Sequence, residues 1–230
     1  MRKIIVLLIV LAFSLSSYSQ SEKFRLGLIA SPMLTWTKPD KAFDKGKIRM
    51  GFEYGLITDI AFNDEGNYGL STGILLSLAG GNIEGPLQTS SLALPAATTV
   101  TAKLQYISIP LLLKLKTNKI NDKISVYGKF GTLQSFRYRA KADFENAIDD
   151  ETGVNIAKKT KSIDNASTVK SKLFNFSVQV GAGIEYYVSD RTSIITGIYY
   201  NYGFIPVLKE DITRSEATMS NLGLRLGVMF

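Results

Sequence analysis

The 230-residue chain contains no cysteine and no histidine. Without cysteine there is no disulfide framework, no thiolate for a soft metal site and no lipid-modified N-terminal Cys, which excludes a lipoprotein. Without histidine the side chain whose proton exchange suits neutral pH is missing. The common nucleophile–base pairs of barrel enzymes that transfer acyl chains or cut peptides go with it. An enzyme is therefore not expected, and no catalytic, cofactor-binding or metal-ligating residue is assigned. Long apolar runs are also scarce: beyond the first twenty residues no segment reaches the ~18 apolar residues of a membrane-spanning helix.

At the start of the chain, Arg2 and Lys3 precede an apolar run over residues 4–13 and a small polar stretch over residues 14–20. About ten apolar residues are too few to cross a ~30 Å hydrocarbon core as a helix, but they suit the apolar region of a secretory signal. Ser17 and Ser19 stand in an A-x-A-like arrangement, so cleavage is expected after Ser19. Residues 1–19 then form a signal peptide and residues 20–230 one exported domain. The formal charge of +7 falls to +5 without Arg2 and Lys3. The remaining basic residues are spread among strands and loops without a basic helix or recognition motif, so nucleic acid is not an expected partner. Outer-membrane lipid, with its anionic headgroups, is the expected surrounding.

The recurring signal is alternation with period two, broken by Gly, Asn and Asp. Eight such segments occur, over residues 24–34, 51–62, 67–79, 103–116, 123–139, 172–188, 191–203 and 218–230. A strand turns successive side chains to opposite sides, so each segment has two chemical faces. In the second, Phe52, Tyr54, Leu56, Ile60 and Phe62 oppose Glu53, Gly55 and Asp59. In the sixth, Phe174, Phe176, Val178, Val180, Ile184, Tyr186 and Val188 oppose Asn175, Ser177, Gln179, Gly181, Gly183 and Glu185. The last places Leu222, Leu224, Leu226, Val228 and Phe230 opposite Gly223, Arg225 and Gly227.

A soluble sandwich alternates too, with its apolar face inward. Strand length and aromatic placement favour a membrane. Several segments exceed the ~9–11 residues that cross a bilayer with tilt. Aromatics gather near segment ends, at Tyr68, Phe136, Tyr138, Phe174, Phe176, Tyr186, Tyr200, Tyr202 and Phe230, as interfacial girdles require. The expected fold is all-β, an eight-stranded antiparallel up-and-down transmembrane β-barrel. Short connections (63–66, 117–122 and 189–190) alternate with long ones (35–50, 80–102, 140–171 and 204–217), which would put both chain ends on the periplasmic side and the long loops outside.

Residues 106–116 read YISIPLLLKLK, residues 181–204 read GAGIEYYVSDRTSIITGIYYNYGF, and the chain closes on GLRLGVMF. With these stretches the chain resembles the PorT-like outer-membrane β-barrel proteins common in Bacteroidetes. The resemblance implies an outer-membrane barrel of about eight strands and carries over no catalytic residue. Through the family's founding member it also implies an accessory role in a type IX-like secretion apparatus as an alternative to a structural or surface-interaction role.

Seven charged residues fall on the inward face: Arg25, Glu53, Asp59, Lys114, Lys129, Glu185 and Arg225. Three carboxylates could make a proton or cation site, but buried ions need partners, and mutual neutralisation inside a narrow barrel is the favoured account. Eight strands enclose just enough room for side chains, which disfavours a channel. Asp143, Glu145, Asp149, Asp150 and Glu151, ahead of Lys158, Lys159 and Lys161, lack calcium-loop spacing and are expected in a solvated loop. The weakly charged stretch 85–101 is a candidate partner-covered loop, and envelope proteins are candidate partners through the long loops. Pro110 should mark a β-bulge. Glycines at 27, 55, 73, 128, 131, 181, 183, 197, 223 and 227 would permit close inward packing.

Overall fold

The computed structural model describes residues 23–39, 48–84, 88–89, 92–93, 99–148, 155–162, 169–210 and 216–230, with backbone alone for 39, 81–84, 88–89, 92–93, 99–102, 142–148, 155–162, 169–171, 208–210 and 216–217. The expected signal peptide lies outside the described residues. Among those described, eight long strands form the wall: β1 Phe24–Pro39, β2 Arg49–Ala61, β3 Tyr68–Glu84, β4 Thr99–Lys116, β5 Ile124–Ile148, β6 Phe174–Tyr187, β7 Ser193–Gly203 and β8 Glu216–Met229. Each pairs antiparallel with the next, and β8 returns to pair with β1. The sheet is closed.

The registers also measure the stagger of that closure. From Leu26 the pairing passes through Thr58, Thr72, Leu111, Thr132, Val178, Tyr202 and Ser220 and comes back to β1 at Trp36, ten residues from its start. Such a shear requires strongly tilted strands and leaves an interior that side chains can fill.

Alternation assigns the two sides of the wall, and the assignment is the reverse of a soluble protein's. Leu28, Leu56, Ile74, Leu113, Phe130, Val180, Ile198 and Leu224 point out and are exposed, several by more than half their surface. Ser31, Glu53, Ser77, Lys114, Lys129, Gln179, Glu185 and Arg225 point in and are buried. An apolar surface continuous around a closed sheet is stable only in an apolar medium. This distribution, together with a single closed sheet, rules out the soluble sandwich. Aromatic side chains crowd the rims of the outer surface. Trp36 stacks on Tyr200 with ring centres 6.1 Å apart, and Phe136 meets Phe174 at 5.3 Å. At the opposite rim Phe24, Phe62, Tyr68, Tyr186 and Phe230 are exposed.

The short connections close tightly. Gly66, Asn121 and Asp122 take left-handed backbone conformations, which Gly, Asn and Asp tolerate best. At the other end the strands run past the expected limits. β1 continues to Pro39, β3 to Glu84 and β5 to Ile148, while β4 begins at Thr99. The stretch expected as the longest loop, 140–171, is partly sheet: Asn155–Ser162 pairs with β5, with Glu145 opposite Lys158 and Asp143 opposite Thr160. The side chains of that charged cluster, and most of the 85–101 stretch, lie outside the described residues; within the latter, Gln88–Thr89 pairs with Leu92–Ala93.

Pro110 corrects another expectation, because no bulge forms there. It stays in register opposite Leu133 of β5, while on the β3 side the ladder runs from Thr72–Leu111 to Leu75–Ser108 with the two pairs between them missing. That gap is what one absent N–H toward Gly73 produces. Pro32 leaves the same gap in the β1–β8 ladder, between Ala30–Leu226 and Met33–Gly223. The bulge instead falls at Gln105/Tyr106, opposite Arg139 and Arg137, with Tyr138 as the extra residue. Ser135 is buried before it and Ala140 after it, so the inward parity of β5 changes there.

Candidate functional site

The inward residues of the eight strands form three layers. Nearest the short turns is an ion-pair cluster. Arg25 of β1 donates to Glu185 of β6 through Nη1 and to the Ser193 hydroxyl through Nη2 at 2.7 Å; Ser193 in turn donates to Glu185 Oε1 at 2.7 Å. Lys114 of β4 lies between two carboxylates, 2.5 Å from Asp59 Oδ2 and 3.3 Å from Glu185 Oε2. Lys129 of β5 reaches Asp59 Oδ1 at 3.3 Å and the Ser71 hydroxyl at 2.8 Å, and Ser71 donates to the same carboxylate at 2.5 Å. Six strands and the start of β7 are tied together across the lumen.

Next comes an apolar layer of Ile29, Ile57, Leu75, Tyr127, Ile195 and Met229, all buried. Its position follows from strand order. From the short-turn end, β2 presents Asp59, then Ile57, then Glu53; β3 presents Ser71, Leu75, Ser77; β7 presents Ser193, Ile195, Tyr199. The second polar layer pairs Arg225 Nη2 with Glu53 Oε1 at 3.1 Å. Ser77 donates to Glu53 Oε2 at 2.8 Å, and the Arg225 guanidinium lies 4.4 Å from the centre of the Tyr199 ring.

All seven charged residues read from the inward face thus line the lumen, but in two groups. Arg25, Asp59, Lys114, Lys129 and Glu185 meet in one, and Glu53 with Arg225 in the other. Sequence reasoning missed Lys116 and the tyrosines that share their parity. Lys116 is 4.0 Å from Glu185 Oε2 and donates to Tyr187 at 2.9 Å. Tyr127 lies under both Lys114 and Lys129, at 5.2 and 5.5 Å. Strand parity was the available signal, since Tyr127 is two residues from Lys129, Tyr187 two from Glu185 and Lys116 two from Lys114.

Glycine makes the room for these rings. A Cβ on Gly183 or Gly197 would collide with the Tyr127 phenol, and one on Gly223 with the Tyr199 ring. Among the described residues no group of three or more Asp or Glu is arranged to hold a metal ion. Toward the long connections lies a cavity of mixed lining, with Tyr106, Ser108, Ser135, Asn175 and Asn201 beside Met33, Leu133 and Met219. Its Tyr106 hydroxyl and Asn175 Oδ1 are buried without a protein partner, as groups that bond to water would be.

A closed sheet with lipid-compatible exterior and ion-paired interior is joined by a sequence match: the model of the outer membrane protein beta-barrel domain family matches residues 12–209. The chain belongs to this family. As an outer-membrane barrel it is similar in fold to several solved structures. Neisserial surface protein A is 14% identical, with a TM-score of 0.46 over 90% of this chain and 96% of that one. OprG from Pseudomonas aeruginosa is 12% identical, with 0.47 over 92% and 98%. The outer membrane protease OmpT from Escherichia coli is 9% identical, with 0.46 over 92% and 97%. No curated protein matches the chain in sequence.

Proposed function

We propose that this outer-membrane barrel is a non-enzymatic membrane protein with a structural or surface-interaction role, and that its lumen is a sealed core. The carrying observation is the apolar layer between the two ion-pair groups. An ion moving through the lumen would have to break buried pairs on both sides and cross Ile29, Ile57, Leu75, Ile195 and Met229 without water. The interior charges then act as the polar core that locks eight strands together. The absence of histidine supports a role without catalysis, because no side chain with a near-neutral unperturbed pKa is present to relay protons.

In this reading residues 1–19 are a cleaved signal, the short turns face the periplasm, and the long connections present the surface that meets partners. The stretches resembling PorT-like proteins are β4 and β6 to β8, whose alternation is the common requirement of a lipid-facing wall. They support the wall and give no specific support to a place in a secretion apparatus. Planar-bilayer recording of the purified protein tests the sealed lumen. No stable conductance step is expected from wild type, and discrete steps altered by Glu53→Lys would overturn it. N-terminal sequencing of the protein from outer membranes should begin at Gln20; an intact Met1 would remove the signal-peptide assignment.

A further inference from the structure

The ion-pair group at the short-turn end does not balance. Arg25, Lys114, Lys116 and Lys129 face only two carboxylates, Asp59 and Glu185, whereas Arg225 and Glu53 in the other group are matched one to one. A fifth cation, Lys119 from the β4–β5 turn, has its ammonium 4.5 Å from the centre of the Tyr187 ring, over which Arg25 and Lys116 also lie, at 5.5 and 5.6 Å. Surrounding carboxylates do not make up the difference. Asp64 is 2.8 Å from Lys23, and the pair holds the Lys23 ammonium above its ordinary pKa chiefly through this hydrogen bond. Glu65 accepts from Asn67 at 3.0 Å, and Asp122 and Asp190 are exposed in the turns. Unbalanced charge in a partly desolvated site is costly, and an added counterion relieves it.

Three of these cations, Arg25, Lys114 and Lys116, line a recess at this mouth, and Lys119 stands beside it over the Tyr187 ring. Lys23, Arg25, Lys114 and Lys116 surround it with Gly66 and Tyr68, and Asp59, already bonded to Lys114, is the one carboxylate in its lining. It has room for about three waters, the size of one tetrahedral oxyanion. Lys116 carries three N–H donors, gives one to the Tyr187 hydroxyl and lies 4.0 Å from Glu185 Oε2. Ammonium and guanidinium donors that converge from β1 and β4 suit an anion with several oxygens better than a single flat carboxylate.

We infer that the short-turn mouth of the barrel binds one phosphate-type oxyanion through Arg25 and Lys116, with Lys119 adding positive charge beside the recess, the anion being supplied either by free phosphate or by the phosphate of a lipid headgroup in the adjoining leaflet. The test uses the full protein purified from outer membranes into a phosphate-free amine-oxide detergent, titrated calorimetrically with inorganic phosphate. One saturable site is expected. Lys116→Gln should weaken it roughly tenfold, the effect of one charge-assisted hydrogen bond, and Lys119→Gln severalfold. Lys38→Gln, at the opposite rim beside Tyr202, should leave it unchanged. Lys119 is exposed in a turn, so its variant keeps the test valid even where Lys116→Gln impairs folding. A second arm places the protein in phosphatidylcholine nanodiscs with and without phosphatidylglycerol. Phosphatidylglycerol retained by wild type in native mass spectra, lost in the Lys116 variant and excluding inorganic phosphate identifies the lipid as the source; phosphate binding that persists identifies the free anion. Absence of both saturable phosphate binding and retained lipid, or binding unaltered in both lysine variants, would overturn the inference.

Discussion

Glu185 has no exposed surface, and it accepts from Arg25, Lys114 and Ser193 at once. Glu185→Gln keeps its shape but leaves two cations buried against a neutral amide, a change that costs about 3–5 kcal/mol when a buried pair is broken from one side. Ser193→Ala removes a hydroxyl bonded to two ions but leaves the Arg25–Glu185 pair in place, and should cost less, about 1.5–2 kcal/mol. Guanidinium titrations of the protein refolded in lipid vesicles should separate the two variants clearly; equal losses would mean that the cluster is not held by charge. The outer surface obeys a different rule. Ile198 sits midway along β7 with 63% of its surface exposed, while Tyr202 lies near the rim. Ile198→Arg should cost about 2–4 kcal/mol and Tyr202→Arg no more than about 1, since a cation is least tolerated at the bilayer midplane. The same titration checks the contrast, and its reversal would misplace the membrane along the strands.

Among the strands, β4 shows how little a proline disturbs a ladder closed on both sides. Its N–H is missing toward Gly73, and register is kept by the pairs above and below. Pro110→Ala should therefore leave the barrel in register and create an amide at position 110 that is protected in hydrogen exchange. A freely exchanging amide there would show that β3 and β4 are separated by more than one lost bond. The bulge at Tyr138 lies where β5 passes the rim, beyond the part of the wall that eight aligned strands constrain. Local sequence marked Pro110 because proline removes a donor. It could not mark Tyr138, since nothing in RYRA distinguishes an extra residue from a regular one until a neighbouring strand supplies the count. For the same reason the hairpin between β5 and Asn155–Ser162 was not legible: the run holding Lys158, Lys159 and Lys161 has no period-two alternation of apolar residues to mark it as a strand.

As a whole molecule, the barrel has no sheet edge within its wall, because β1 and β8 pair along eleven residues between Gly27 and Pro39. Closed ladders of this kind resist detergent, so the unheated protein should migrate faster in detergent gels than the heated one. A single band under both conditions would argue against a closed barrel. Alternation over the eight segments was enough to assign fold class, both faces of each strand and the inward position of the seven charged residues, because a strand's period of two is a local property of the backbone. Which of those charges meet is not local. Asp59 bonds to Lys114 and Lys129 because a ten-residue stagger carries β2, β4 and β5 past one another at that height, while Glu53, six residues away on the same face, finds Arg225 from the far side of the chain. The apolar layer between the groups, and the charge surplus at the short-turn mouth, likewise follow from register around a closed circle, where the position of each side chain depends on all eight strands at once.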